Sequence, residues 1–572
     1  MRVRFLNHEM SSVHAAAFLL GAAGLLSRLA GVVRDRLLAS HFGAGRELDI
    51  YYAAFQIPDF MSVIFLLGAG SAAILPVFQE YLGRDRIKAS RLISQVSTLF
   101  LLGALVFVGL AFFLAPWLVY IIVPGFSSAD ISLTVTLMRI MLLSPILFGL
   151  SSIFSAVIQS FERFISYALA PILYNLGIIV GILWFVPAWG VIGLAGGVVL
   201  GALLHVAIQY RSLVSLGFSP RLVWGPIDAG VKKIIALSAP RVLSLSFTQL
   251  TVVALIGLAS LLASGSISIF QFSQNLYFVP VGIFGVSYSV ALFPRLSSAY
   301  IERNGQRFFH EFFLGLRSIL FWIIPSVALF FVLRMEIVRV VLGSRAFSWE
   351  DTQLTAACLG LLAFAMVAAS LMPHLVKSFY ALENTRVPLA VDMGGSVITV
   401  GLAFMFTKLI SHSASFRSML TALLHVSHVP HPEVLGIALG FSLGLAANVL
   451  LLYIVLVPFA GSVFGKREPA RPNGHSGGRF PALPLLKIVA ASLIAGVAAY
   501  AVRAVFPGVT PYDPVILILM RALFAGVAGL IAYFGMLLLL KSEDMEMVRA
   551  SMHKRFLRLG MLPKSWNNDH LR

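Results

Sequence analysis

Ser27-Arg28-Leu29-Ala30-Gly31-Val32-Val33-Arg34-Asp35-Arg36 sets four ionisable residues inside a segment that is otherwise oily, from Ala15 to Ala39. A charge at the centre of a lipid-embedded helix costs about 2.5–3.5 kcal/mol on insertion scales, so such residues face a protein interior or a wet cavity. Three arginines and an aspartate stand here where a simple anchor would carry leucines. The stretch reads as part of a polar pathway through a membrane protein.

The rest of the chain supports that class. Of 572 residues, 59% are hydrophobic and 12% are charged, and the mean hydropathy is +0.93. Soluble domains carry about 25% charged residues, so this chain could not cover a water-facing surface. Apolar windows of roughly 20 residues, each able to cross about 30 Å of hydrocarbon, recur from end to end. A β-barrel would show short alternating strands instead. The expected class is an all-α polytopic membrane protein.

The net charge of +18 is assigned to basic cytoplasmic loops, not to nucleic acid, for which no module is visible. The single cysteine, Cys358, excludes an intrachain disulfide framework and reads as a small buried hydrophobe. Arg2 and Arg4 precede an apolar run that lacks a convincing cleavage site and continues into Arg28, so it reads as an uncleaved first helix.

Apolar runs between polar breaks give about fourteen transmembrane helices, near 13–39, 50–81, 92–123, 131–158, 164–187, 190–211, 234–263, 267–298, 308–333, 353–381, 387–410, 434–462, 485–506 and 514–540. Pro58, Pro145, Pro280 and Pro373 fall inside spans and predict bends or breaks. Loops after even-numbered spans are basic, with Arg84, Arg86, Lys88 and Arg91 in one and Lys232 and Lys233 in another. Odd loops such as 124–130 and 507–514 have no basic residue; the exceptions are Arg46, Arg345 and Arg417. With an even span count, both termini are therefore expected on the basic, cytoplasmic side.

A repeat at an offset of 218 residues relates Ser71-x-Ala73-x-x-Pro76 to Ser289-x-Ala291-x-x-Pro294, and Ser160-Phe161 to Ser378-Phe379. That offset equals about six spans, an even number, so the two halves form a parallel pseudo-repeat. The expected organisation is a six-helix lobe over 1–212, a second over 213–464 and a Gly/Pro/Arg-rich cytoplasmic linker over 465–484. Two extra helices over 485–541 and a basic tail over 542–572 follow.

In the first helix Arg28 and Asp35 are seven residues apart and share a stripe with Gly24 and Gly31, while Ser27 and Arg34 share the adjacent one. The glycines would admit a helix or a substrate close to the backbone. A cationic lining of this kind suits a pyrophosphate, which arginine's planar fork matches. The competing reading places Arg34, Asp35 and Arg36 at the interface, snorkelling or pairing, and for Arg36 that reading is preferred.

These residues, with Phe42-Gly43-Ala44-Gly45, Asp49, Ala54-Phe55, Pro58 and Gly68-Ala69, resemble the start of the MurJ/MviN lipid II flippases of the multidrug/oligosaccharidyl-lipid/polysaccharide exporter superfamily. Further resemblance lies in Ala115-Pro116-Trp117, Pro124-Gly125-Phe126, Leu262-Ala263-Ser264-Gly265-Ser266 and Ser378-Phe379-Tyr380-Ala381-Leu382-x-Asn384-Thr385-Arg386-x-Pro388. The resemblance spans roughly 15–460. It implies a V-shaped pair of lobes around a cationic cavity, with a groove of the last two helices for a prenyl tail. An undecaprenyl-linked anionic glycolipid, lipid II, would cross by alternating access without covalent chemistry. Arg28, Arg34, Asp35 and Asp49 occupy motif positions whose counterparts line or support the cavity, with the two aspartates orienting arginines or coupling to protons or ions.

The chain departs from the family at charged positions. Met61-Ser62-Val63 and Leu66-Leu67-Gly68 stand where paired arginines and a glutamate are usual, and Gln271-Phe272-Ser273-Gln274-Asn275 lacks an expected arginine. Gln274 and Asn275 can hydrogen-bond sugar or peptide but cannot neutralise a pyrophosphate. Asn175, Gln249 and Asn448 could line a cavity or bond helix to helix, and Arg241 reads as an interfacial anchor. His425, His428 and His431 lack the partners of a metal site.

No P-loop or nucleophile elbow is present, so the chain is expected to be neither an enzyme nor an ATP-driven pump, and no cofactor is expected. Membrane potential or a monovalent ion would supply the bias. Alternative readings are an exporter of another prenyl-linked oligosaccharide or amphipathic drug, and a transport-incompetent scaffold for envelope-synthesis proteins.

Overall fold

Every backbone N–H and C=O that crosses a bilayer must be satisfied within the chain, and the sequence meets that condition with helices. The computed structural model describes residues 13–68, 71–465, 482–546 and 549, and among these it contains helices and no strand. Most of the expected linker and tail lie outside the described residues, as do the side chains of Leu66, Leu67, Gly68 and Arg241.

Eleven of the described helices are long and apolar enough to span a membrane. Val13–Phe42, Arg46–Gly68 and Ala229–Ser260 occupy the three remaining expected spans, so a count of about fourteen is consistent. The chain is a multi-pass membrane protein. It divides into two compact units, one combining Met1–Phe272, Val341–Thr355 and Thr399–Gly440, the other Ser273–Val340, Ala356–Ile398 and Phe441–Arg572.

Burial separates lipid-facing helices from interior ones. In Arg86–Ile122 only 22% of the most apolar window is buried, with Phe107, Phe113 and Trp117 exposed as on a face that meets acyl chains. In Ser128–Ser160 and in Trp349–Ala381 the figure is 78%. The 218-residue offset carries the first of these interior helices onto the second, which gives the repeat a structural meaning.

Two of the four expected interruptions occur. Ser128–Met141 ends and Leu143–Ser160 begins just before Pro145, in a first turn where its missing N–H costs nothing. Pro280 is followed by a wide turn over Val281–Val286. The helices continue through Pro58 and Pro373.

Close helix pairing uses glycine. A Cβ added at Gly177 would lie 2.2 Å from the Gly201 Cα, and one at Gly181 would lie 2.4 Å from the Gly197 Cα. Phe164–Val180 and Ile192–Ser215 therefore touch backbone to backbone, as small residues permit where lipid gives no hydrophobic drive. Larger side chains fill the rest of this unit's core, with Phe78 and Phe218 packed edge to face at 5.5 Å.

Candidate functional site

In the first unit, Val13–Phe42 is one continuous helix, so the charges of its second half project from a regular frame. Arg34 donates through Nε (3.0 Å) and Nη2 (2.8 Å) to Asp35 Oδ1, and through Nη1 to Asn175 Oδ1 at 3.1 Å. Asn175 in turn donates to Pro171 O at 3.1 Å and, more weakly, to Ser27 O at 3.4 Å. Asp35 is 6% exposed, which places this ion pair inside the protein. Asn175 thus braces the first helix against Phe164–Val180, and Arg34 and Asp35 form a nearly neutral, oriented unit. Tyr51 and Tyr52 are buried within electrostatic reach of both.

Arg28 is half-buried on the same helix. A Cβ added at Gly24, four residues earlier, would meet no described atom within 4 Å, and one at Gly31 would meet Asn175 Oδ1 at 3.8 Å. The glycines do not receive a closely packed helix; they leave room beside Arg28. Arg36 Nη1 reaches Val341 O at 3.4 Å.

Asp49 is 1% exposed and its carboxylate is fully engaged. Oδ2 accepts from Gly265 N at 2.7 Å, and Oδ1 accepts from Ser268 N at 2.8 Å and Ser268 Oγ at 2.7 Å. It caps the start of Ser266–Pro280, where exposed N–H groups and the helix dipole favour an anion. Gly265 is at φ +91°, and a Cβ there would lie 2.1 Å from Ala44 O. The Phe42–Gly45, Asp49 and Ser264–Ser266 motifs are therefore one interlocked turn. Pro124-Gly125-Phe126 is similar: Gly125 N reaches Ser260 Oγ at 3.3 Å, and Arg46 lies over the Phe126 ring at 4.9 Å.

At least two intramembrane acids, Asp59 and Asp392, escaped the sequence reading. Asp59, directly after Pro58, accepts from Gln249 Nε2 at 2.6 Å. The available signal was the acid itself inside an apolar span. Ser62 donates to Pro58 O at 2.7 Å and is buried.

Gln274 and Asn275 belong to the second unit, each half-buried, and Gln274 Nε2 has no hydrogen-bond partner among the described residues. Asn448 donates to Asp392 Oδ1 at 3.0 Å. Asn175, Gln249 and Asn448 thus all make helix-to-helix bonds. Asn384 Oδ1 accepts from Arg386 N (3.1 Å) and Val387 N (3.0 Å), so the motif around it is a helix start.

The second unit also holds an apolar groove of about 880 Å³, lined among others by Leu320, Phe331, Phe364, Val449, Leu493 and Tyr500. Its walls come from Gly305–Val332, Trp349–Ala381, Val434–Val463 and Ala482–Val505. Val515–Leu539 contributes no lining residue; it packs behind, with Tyr533 Oη donating to Phe321 O at 2.5 Å.

A family model described as lipid II flippase MurJ matches residues 38–520. The lipid II flippase MurJ of Burkholderia cenocepacia is 27% identical over 445 residues, covering 76% of this chain and 81% of its own. A probable lipid II flippase MurJ of Buchnera aphidicola is 29% identical over 437 residues, covering 75% and 80%. Among solved structures, a lipid II flippase MurJ in an inward closed conformation superposes with a TM-score of 0.70 at 22% identity, covering 91% of this chain and 100% of its own. An inward-facing multidrug resistance MATE transporter of the MOP superfamily shares the fold at a TM-score of 0.63 and 14% identity, covering 76% and 95%. The family match takes in most of the chain, from the end of the first helix through the interlocked turn at Asp49 to the last described helix, and the protein belongs to the lipid II flippase MurJ family.

Proposed function

We propose that this chain flips lipid II from the cytoplasmic to the outer leaflet of the bacterial inner membrane by alternating access, with both termini cytoplasmic. The reading is carried by one observation: a family member keeps a buried, hydrogen-bonded Arg34–Asp35–Asn175 unit inside its first span, with room beside Arg28. Asp35 already balances Arg34, so the pair orients and Arg28 meets the phosphate-bearing head group. Asp49 acts by holding the Ser266–Pro280 helix in place. Gln274 and Asn275 hydrogen-bond sugar or peptide.

The apolar groove suits the prenyl tail. Lipid chains are as apolar as leucine, so a tail gains little by leaving bilayer for groove, and the groove guides without trapping. No covalent step and no cofactor is required. Membrane potential supplies about 2.3 kcal/mol per charge per 100 mV, and a monovalent ion could share that work. The partners are the undecaprenyl-linked substrate, bulk membrane lipids and envelope-synthesis proteins.

Depletion with complementation tests the reading. Loss of the chain should leave lipid II on the cytoplasmic leaflet, and Arg28→Ala should fail to restore its transfer. Accumulation of a different prenyl-linked glycan would favour another exporter. Full complementation by Arg28→Ala plus Arg34→Ala would favour a scaffold.

A further inference from the structure

The buried acids of this chain are held in different ways. Asp35 faces the Arg34 guanidinium, and Glu336 accepts from Arg503 Nε at 2.7 Å. Asp49 accepts from three donors. Asp59 has neither provision. Among the described residues it makes no ion pair, and one neutral donor, Gln249 Nε2 at 2.6 Å, serves its Oδ2. Yet it stands in the apolar middle of Arg46–Gly68, about 20 Å along the helix from Arg46. An ionised group at such depth is costly unless paired or wetted, and residues of this kind mark ion or proton paths. Asp59 and Gln249 are both half-buried, so water can reach the pair.

The helices packed against Arg46–Gly68 keep their charges elsewhere. Leu143–Ser160 carries no titratable side chain. Ser128–Met141 has Asp130 in its first turn and Arg139 in its last, and Arg86–Ile122 has Arg86, Lys88 and Arg91 in its first two turns and Tyr120 near its other end. Ala229–Ser260 carries Lys232 and Lys233 at its start, and the side chain of Arg241 lies outside the described ones. Val13–Phe42 brings Arg28, Arg34, Asp35, Arg36 and His41, and on Asp59's own helix Arg46, Glu47, Asp49, Tyr51 and Tyr52 lie in the first two turns. Tyr174, on Phe164–Val180, is within electrostatic reach of both Asp59 and Arg34, so a change of charge at Asp59 is felt beside the Arg34–Asp35 pair. A metal ion needs several donors, and among the described residues no group of three His, Cys, Asp or Glu side chains converges. A proton needs one carboxylate.

We propose that Asp59 is a proton-binding site whose loading and unloading accompanies transport, an inference that rests on reading the chain as a transporter. The carboxylate takes a proton from water to become the neutral acid and returns it to water afterwards. With the charge gone, the bond to Gln249 falls to a neutral one, about half as strong. The proton therefore loosens Arg46–Gly68 from Ala229–Ser260, and its departure tightens them.

The test has two arms, both on the full chain in phosphatidylcholine vesicles. Infrared difference spectra between alkaline and acidic buffer should show the C=O stretch of a protonated carboxyl that disappears in Asp59→Asn and shifts in Gln249→Leu. Lipid II transfer at zero membrane potential should change severalfold under an imposed pH gradient. Asp59→Asn, which keeps an acceptor for Gln249, should abolish that response, and Asp59→Glu should keep it. A purely structural contact predicts the reverse, with Asp59→Asn responding like the unaltered chain. No Asp59-dependent carboxyl band, transfer indifferent to the gradient, or a response that survives Asp59→Asn overturns the proposal. If the unaltered chain transfers no lipid II while the band depends on Asp59, the flippase reading falls and the proton site stands; if transfer proceeds and ignores Asp59, the site falls alone.

Discussion

Asp49→Asn keeps the side chain's shape and removes its charge and one acceptor. With the amide oxygen kept at Oδ1 for Ser268, the new NH2 group faces Gly265 N–H, so the 2.7 Å bond is lost and a buried donor is left unmet. A hydrogen bond to a charged group contributes about 1.5–3 kcal/mol, and an unmet buried donor costs about 1–3 kcal/mol. The two Ser268 bonds survive as weaker neutral ones, so the expected cost is about 3–5 kcal/mol. Asp49→Ala should cost at least as much, and Ser268→Ala, which removes one bond of three, about 1–2 kcal/mol. Reversible denaturant unfolding of the purified chain in mild detergent, followed by circular dichroism, reads this order. If Asp49→Asn unfolds with the unaltered chain, or if Ser268→Ala is the more damaging of the two, the cap is not what secures the Ser266–Pro280 helix.

Gly265→Ala should be as damaging as Asp49→Ala, since the residue sits at φ +91° with its Cβ position 2.1 Å from Ala44 O; the same unfolding assay decides. Arg34→Lys breaks the fork on Asp35 and the bond to Asn175 and should slow lipid II transfer about tenfold in proteoliposomes, while Asn175→Leu should mimic it without touching a charge. Val497→Trp, at an exposed groove position, should leave stability unchanged and reduce prenyl-lipid binding by filling the groove. Asp228 caps Ala229–Ser260 and accepts from Tyr81 Oη and from Gly230 N at 2.7 Å, and these bonds hold its carboxyl below the ordinary carboxylate range. A depressed folded pKa gives stability that is complete above the unfolded value and is lost as pH falls through the folded one. Because Asp228 is largely solvated the contribution is under about 1 kcal/mol; thermal melts from about pH 6 to pH 3 should show a shallower acid loss for Asp228→Asn.

The class, the approximate number of spans and the family were legible because bilayer thickness fixes the length of each apolar window and the first-helix charges violate that oiliness in a specific way. The repeat was legible too, since the offset that aligns Pro76 with Pro294 also aligns the two interior helices. What the acidic residues do was not. Asp49 is bound to groups 216 and 219 residues away, so the sequence shows Ser264-Gly265-Ser266 as a motif without showing what it grips. Asp59 and its partner Gln249 are separated by 190 residues, and only helix packing brings them together. The apolar groove of the second unit is walled by four helices distant in sequence, so only their packing reveals it. Of the basic exceptions Arg46, Arg345 and Arg417, the sequence does not show the local contacts that Arg46 makes with Asp130 and Phe126 and Arg417 with Ile410 O and Ser411 O.

The central claim is tested most directly by reconstituting the purified chain into liposomes that carry fluorescent lipid II on one leaflet and following its access to an impermeant reagent on the other. The account predicts transfer well above the rate of protein-free vesicles, with Arg28→Ala reducing it toward that rate and Asp228→Asn leaving it unchanged. Transfer no faster than in empty vesicles under an imposed membrane potential, or transfer equally fast with Arg28→Ala and Arg34→Ala combined, would contradict it.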